Sequence, residues 1–353
     1  MSDNSLLHQL NLQYPVIQAP MAGTSTPAMA AAVSNAGGMG SLGLGNLSVE
    51  AAREQIRQLQ ALTDKAFNIN FFCHREEPVD TQRDQAWLQR LAPWFAEFDA
   101  EPPAQLDAGY ASFIGNQAML DMLLEERPPV VSFHFGLPEA DAIDALKEAG
   151  IFLMGCATCL EEAQAIEAAG LDAVIAQGYE AGGHRGIFDP QHEPALGLHD
   201  LLRQLQGRIG LPVIATGAIM DGKDIAEVLQ LGASAAQLGT AFICCPESAA
   251  PQAYRDQLQS ERAQHTGVTA IFSGRPARGI LNRSHREIGP HAAELAGYPQ
   301  AYSAAKALHA VAAARGSHEF APYWSGTAGS RCRSMPAAEL VATLVKELNA
   351  SRS

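Results

Sequence analysis

The stretch LDAVIAQGYEAGGHRG, residues 171–186, decides the architecture. Its first half, Ala173–Gln177, is a short apolar run of the kind that fills a strand buried on both faces. Its second half carries four glycines within the ten residues from Gln177 to Gly186. Such a loop lets backbone amides approach a flat or anionic ligand closely. His184, directly after the Gly182-Gly183 pair, is placed to act as a base or hydrogen-bond partner. The plain alternative is a flexible turn with an exposed histidine.

Outward from this stretch the same unit recurs. Other short β-type runs lie at Pro15–Ala19, Met39–Gly43, Phe67–Phe71, Val130–Phe133, Ile151–Gly155, Pro212–Ala215 and Ala235–Gly239. Helical patterns lie between them. Thr26-Pro27 opens one with an N-cap and a first-turn proline. Ser48 to Leu62 is amphipathic, and Pro138 to Ala149, Leu160 to Ala169 and Asp221 to Leu231 each end at a glycine. With Ala173–Gln177 the runs number eight, so the expected fold is α/β, a (β/α)8 TIM-type barrel rather than an open doubly wound sheet. Asn35–Gly40 mimics a dinucleotide loop, but it follows a helix and precedes a strand, the reverse of the required context.

Two segments break the repeat. Residues 74–110 are rich in Pro, Glu and aromatics, and residues 246–353 read as helical with Gly and Pro breaks. The expected organisation is a barrel from 1–73 and 111–245. The excursions 74–110 and 246–353 would form a mostly helical substrate or lid region at the strand C-terminal ends, the catalytic face of such barrels.

With 353 residues, 47% of them apolar and 18% charged, the chain can bury a sizeable core. The net charge of −14, with no basic run, argues against nucleic acid and anionic membrane as partners. The N-terminus lacks signal-peptide character and no apolar run approaches the roughly 20 residues of a spanning helix, so the expected location is cytoplasmic. Cys156 and Cys159 form a lone C-x-x-C without the second pair that zinc would want, so no metal is expected and ordinary buried thiols are the preferred reading.

Several run ends converge on the same barrel mouth. Thr216-Gly217-Ala218 and Gln237-Leu238-Gly239-Thr240 stand where barrels often bind phosphate through glycine amides; the equal alternative is that their glycines only ease strand-end turns. Ala19-Pro20-Met21-Ala22, Asn70 and His134 put polar or soft groups beside them. His134, in a Phe-rich run, also suits a satisfied core histidine. Tyr298, Tyr302 and Lys306 share one helical face, with Pro299 expected at the first helical position. Taken alone, that spacing favours a packing helix with a solvated lysine.

In combination, QAPMAGTSTPAMAAAVSNAGGMGS (18–41), FNINFFCHR (67–75), SFHFGLP (132–138) and QGYEAGGHRG (177–186) resemble class I nitronate monooxygenase, formerly called 2-nitropropane dioxygenase. The resemblance implies an FMN-containing barrel that oxidises alkyl nitronates, such as propionate 3-nitronate, with dioxygen and without reduced nicotinamide, in a detoxifying role. It implies His184 as the catalytic residue. It implies FMN contacts from Ala19, Pro20, Met21, Ala22, Asn70, Gln177, Gly182, Gly183, Gly217, Ala218, Gln237, Leu238, Gly239 and Thr240. It implies a substrate pocket from Tyr110, His134, Tyr298, Tyr302 and Lys306. One departure is Ala218 where the family usually has glycine; a negative φ there would preserve the amide contact. An FMN-dependent enoyl-thioester reductase using NADH or NADPH is the rival of similar pattern. The sequence leaves monomer and homodimer both open.

Overall fold

The computed structural model describes residues 5–107 and 109–352, with the backbone alone at residue 5 and residues 291–293. Residues 1–4 of the barrel segment and Ala108 of the first excursion therefore lie outside the described residues. The strands in chain order are β1 (Val16–Gln18), β2 (Gly40–Gly43), β3 (Phe67–Phe72), β4 (Val130–His134), β5 (Phe152–Ala157), β6 (Ala173–Gln177), β7 (Gly183–His184), β8 (Val213–Thr216), β9 (Ala235–Leu238), β10 (Thr266–Thr269) and β11 (Ala277–Ile280). Eight of them form one parallel sheet in the order β1-β9-β8-β6-β5-β4-β3-β2. A parallel bridge between Ile17 and Met39 brings its two edges together. There Gln18 N–H donates to Met39 O at 2.9 Å and Met39 N–H to Val16 O at 3.0 Å, so the barrel is nearly closed. All eight runs expected from the sequence are barrel strands, within one or two residues at their ends.

These strands are almost wholly buried because both faces are covered. Inside, Ile17, Met39, Val130, Met154, Ile175 and Ile214 pack with Leu6 and Leu10 of the N-terminal segment. Outside, the helices Pro27–Asn35, Val49–Leu62, Gln117–Glu126, Ala140–Glu148, Leu160–Ala168, Leu198–Leu205 and Gly222–Gln230 cover the sheet. The last helix, Ala337–Ser351, packs against Gly222–Gln230 and Pro27–Asn35. Its Leu340, Val341, Leu344 and Leu348 enter the barrel's main hydrophobic cluster. This corrects the assignment of all of 246–353 to the excursion. A strand that closes the ring still needs an outer cover, and here the helix that supplies it comes last in the chain.

The two excursions meet over the barrel mouth. Helices Thr81–Ala96 and Ala301–Ala314 share a separate apolar cluster built on Trp87, Leu91, Phe95, Phe272, Leu308 and Phe320. The second excursion is not only helical. β10 and β11 form an antiparallel hairpin, and β11 pairs with β7, setting Ala277 opposite His184 and Arg278 opposite Gly183. Nothing in TGVT or ARGI alternates in the manner of a free-standing strand; these segments become strands because they meet. Among the described residues no helix is long and apolar enough to cross a membrane.

Candidate active site

The strand C-terminal ends and the excursions enclose a cavity of about 340 Å³. Its wall includes Ala19, Pro20, Met21 and Ala22 after β1, Asn70 on β3, and Gln177, Gly182 and Gly183 at β6 and its loop. Gly217 and Ala218 follow β8, and Gln237, Leu238, Gly239 and Thr240 come from β9 and just beyond it. His184, His134, Tyr110, Tyr302 and Lys306 complete the set of sequence-selected residues on the same wall. Tyr298 is not on the lining. It is buried behind Tyr110, and the two phenol oxygens lie 2.7 Å apart. Pro299 is not the first helical residue as expected; the helix starts at Ala301 after Gln300, and Pro299 lies in the turn that sets Tyr298 beneath Tyr110.

The glycine-rich loop is held by buried polar contacts. Arg185 is fully buried, pairs with Glu193 at 2.9 Å, and donates to Gln177 Oε1 at 2.9 Å and Gly178 O at 2.7 Å. Gln177 Oε1 also accepts from Gly186 N–H at 2.8 Å, while its Nε2 donates to His184 O at 2.9 Å. The side-chain amide of Gln177 thus locks the loop that carries His184. Gly182 is glycine for want of room: a Cβ there would lie 2.5 Å from the nitrogen of Gly326, on the segment that crosses above.

His184 sits among aromatic rings, with Trp324 at 5.4 Å, Phe135 at 5.6 Å and Tyr298 at 6.0 Å between centroids. Burial, reinforced by His134 and the Arg275 guanidinium, pushes its pKa down to about 3. The imidazole is therefore neutral at physiological pH. His134 is likewise lowered to about 4, mainly by burial, and its Nε2–H donates to His184 O at 3.2 Å. Arg275 is buried beside them, with its guanidinium 4.4 Å from the centre of the Phe135 ring and one nitrogen donating to Ile187 O at 2.5 Å. Phe135 itself is at φ +73°, rare for a bulky residue, at the point where its ring meets both Arg275 and His184.

Elsewhere the wall offers fewer charges. Lys306 is exposed at the cavity rim; its ammonium lies 4.4 Å from the centre of the Tyr302 ring and forms no ion pair among the described residues. Gln237 Oε1 and Asn46 Oδ1 are buried acceptors without partners among the described residues, both on residues of the cavity wall. Such orphaned acceptors suit a ligand with N–H groups along its edge. Cys156 and Cys159 are free thiols, pushed up to about 12 and about 11 by burial. No cluster of three or more metal-ligating side chains occurs among the described residues.

Ala218 does not meet the condition of a negative φ. Its φ is +55°, in the left-handed region where glycine is at ease and an L side chain costs about 1–2 kcal/mol. Ala218→Gly is expected to be neutral or to stabilise by about 0.5 kcal/mol after the extra unfolded-chain entropy of glycine is subtracted. Ala218→Val should destabilise by more than about 1 kcal/mol. Chemical denaturation of the two variants in parallel checks the order; a Val variant as stable as the Gly variant would contradict the strained geometry.

Several wall residues escaped the sequence reading. Trp324 and Tyr254 line the cavity from the second excursion, and the Tyr254 hydroxyl donates to Trp324 O. Ser273 contacts His184 from the β10–β11 turn, its Oγ 2.8 Å from Nε2. No local pattern marks any of them, because each reaches the site through a long-range contact.

The chain matches the family model described as nitronate monooxygenase over residues 4–347. A nitronate monooxygenase of Pseudomonas aeruginosa is 53% identical over 341 residues, 96% of this chain and 97% of that protein. One of Paraburkholderia phytofirmans is 53% identical over 350 residues, covering 98% and 95%. Among solved structures, a nitroalkane oxidase from Streptomyces ansochromogenes superposes with a TM-score of 0.91 at 39% identity, covering 99% of each chain. With a match this long and a glycine-walled barrel mouth built around a neutral histidine, the chain belongs to the nitronate monooxygenase family of oxidoreductases.

Proposed function

We propose that the protein binds one FMN in the cavity and uses it to oxidise small anionic nitronates, of which propionate 3-nitronate is the type, with dioxygen. The products are a carbonyl compound and nitrogen oxyanions, and the role is removal of a toxic anion. The observation that carries this reading is a neutral imidazole, His184, and an ammonium without an ion-pair partner among the described residues, Lys306, on the wall of one cavity. Nitronate monooxygenases are generally flavin-dependent, and the wall fits a flavin. Gln237 Oε1 and Asn46 Oδ1 are acceptors with no partner among the described residues, and Gly217, Ala218, Gly239 and Thr240 line the cavity where their backbone amides would hold the phosphate. When bound, FMN supplies the electron acceptor that mediates between nitronate and oxygen.

The remaining work falls to side chains of the chain itself. His184 accepts a proton from the α-carbon of a neutral nitroalkane, or orients a nitronate that arrives deprotonated. Lys306 pairs with the carboxylate of the substrate, and Tyr302 donates beside it. The rings of Phe135, Trp324 and Tyr298 packed around the imidazole keep water from it.

Cofactor released by heat from the purified yellow protein is expected to run as FMN on chromatography. FAD, or a protein that takes up no flavin on reconstitution, would contradict the assignment. Oxygen consumption on adding propionate 3-nitronate should be the same with and without NADH. A rate that instead requires NADH and an enoyl thioester would favour the reductase alternative.

A further inference from the structure

We propose that Ser273 is the positioning residue that selects the tautomer of His184, holding the ring proton on Nε2 and leaving the Nδ1 lone pair free to take a proton from a neutral nitroalkane. The inference rests on His184 being the base of the proposed function. The imidazole is neutral, so it has one N–H and one lone pair, and only the lone pair can accept a proton.

The argument is one of hydrogen-bond capacity. Ser273 is fully buried in the turn between β10 and β11. Its Oγ lies 2.8 Å from His184 Nε2, 3.3 Å from the backbone N–H of Arg275 and 3.2 Å from the backbone O of Arg275. A hydroxyl has one proton to give and two lone pairs. The Arg275 N–H can only donate and the Arg275 carbonyl can only accept. If the hydroxyl proton points to that carbonyl, its lone pairs receive Arg275 N–H and His184 Nε2–H, and all three contacts are satisfied. If it points to His184, the buried Arg275 carbonyl loses the one donor it has among the described residues. An unsatisfied buried carbonyl is the more costly outcome. Nδ1 takes no hydrogen-bond partner among the described residues and is not a buried orphan.

The placement is enforced from both sides. β11 sets Ala277 opposite His184, so one small sheet carries the backbone of the histidine and the turn that holds the serine. Gly274, at φ +95°, lets that turn press on the next segment, where a Cβ would come 2.7 Å from the Tyr298 nitrogen. In the reaction the Cα–H bond of the nitroalkane breaks and a bond from that hydrogen to Nδ1 forms. The electron pair left on carbon moves into a C=N bond, and the negative charge resides on the two nitro oxygens. The imidazolium then returns its proton to solvent.

The test uses the FMN-loaded full chain with 15N-labelled histidine. The His184 signals, assigned by their loss in His184→Asn, should show a pyrrole-like Nε2 and a pyridine-like Nδ1. The reverse pattern in the unaltered protein overturns the proposal. In Ser273→Ala the preference should relax toward a mixture. Turnover of nitroethane should fall about tenfold or more, and several-fold further than turnover of preformed ethyl nitronate. Ser273→Thr, which keeps the hydroxyl, should restore both the tautomer and the nitroethane rate. An unchanged tautomer in Ser273→Ala, or equal losses on both substrates accompanied by loss of FMN, would make Ser273 a packing residue and overturn the proposal. Failure of the parent reading looks different: His184→Asn would then turn over nitroethane normally, whatever tautomer the NMR reports.

Discussion

His184→Asn is expected to lower turnover of neutral nitroalkanes about a hundredfold to ten-thousandfold, the usual contribution of a positioned general base, while the protein keeps its flavin. Asparagine retains a polar group toward Ser273 but has no basic nitrogen, so the Cα proton has nowhere to go. A nitronate arrives without that proton and should lose less. Equal, unchanged rates on nitroethane and ethyl nitronate would remove the histidine from the mechanism. The environment adds a pH signature. Burial, with His134 and Arg275, holds the imidazole near pKa 3, far below its ordinary 6.5. A base must be neutral to act. At pH 5.5 a histidine of ordinary pKa would be about nine-tenths protonated and its activity mostly lost, whereas His184 stays neutral. The nitroalkane rate should therefore show no histidine break between about pH 5.5 and 8; a break near 6.5 would mean that the imidazole is hydrated in the working enzyme. The same depression weakens the base, so preformed nitronates are expected to outrun neutral nitroalkanes in the unaltered protein.

Lys306→Met is expected to raise KM for propionate 3-nitronate about tenfold and to leave ethyl nitronate nearly unaffected. The whole chain carries −14, so its long-range field repels an anion and the site needs a local cation. The proposed function gives that part to Lys306, which lines the cavity, rests on the Tyr302 ring and has no ion-pair partner among the described residues to neutralise it. A charge-assisted hydrogen bond is worth about 1.5–3 kcal/mol. Lys306 is exposed, so solvent and salt screen it and the lower end, about tenfold, applies. Methionine keeps the apolar stem over Tyr302 and removes only the charge. The loss should shrink as ionic strength rises. Equal losses on both nitronates would make the lysine structural, and no loss on either would mean that the substrate does not reach the rim.

The barrel was legible because its signal is local. A strand covered on both faces must be apolar at almost every position, so AVIAQ, VVSF and IFLMG mark themselves without reference to anything distant. The helices between them are marked by caps and 3.6-residue periodicity, which are local as well. The glycine-rich loop and the strand-end residues fell on one cavity wall for the same reason, since parallel strands of a barrel all point their C-terminal ends to one face.

What the sequence by itself could not determine depends on which distant segments touch. The eighth outer helix, Ala337–Ser351, looks like any amphipathic helix until it is seen between Pro27–Asn35 and Gly222–Gln230. The sequence leaves the φ of Ala218 open, and only the folded turn shows it at +55°. Tyr298 shares a sequence face with Tyr302 and Lys306, yet the turn at Pro299 puts it behind Tyr110 rather than on the wall. The surroundings of the histidine are the clearest case. β7 is two residues long and is a strand only because β11 pairs with it. Ser273 lies 89 positions from His184, and neither residue carries a pattern that points to the other. Local periodicity reports whether a position is buried; the partner that buries it, and hence the protonation state and tautomer of a residue such as His184, is set by packing between segments that the chain order keeps apart.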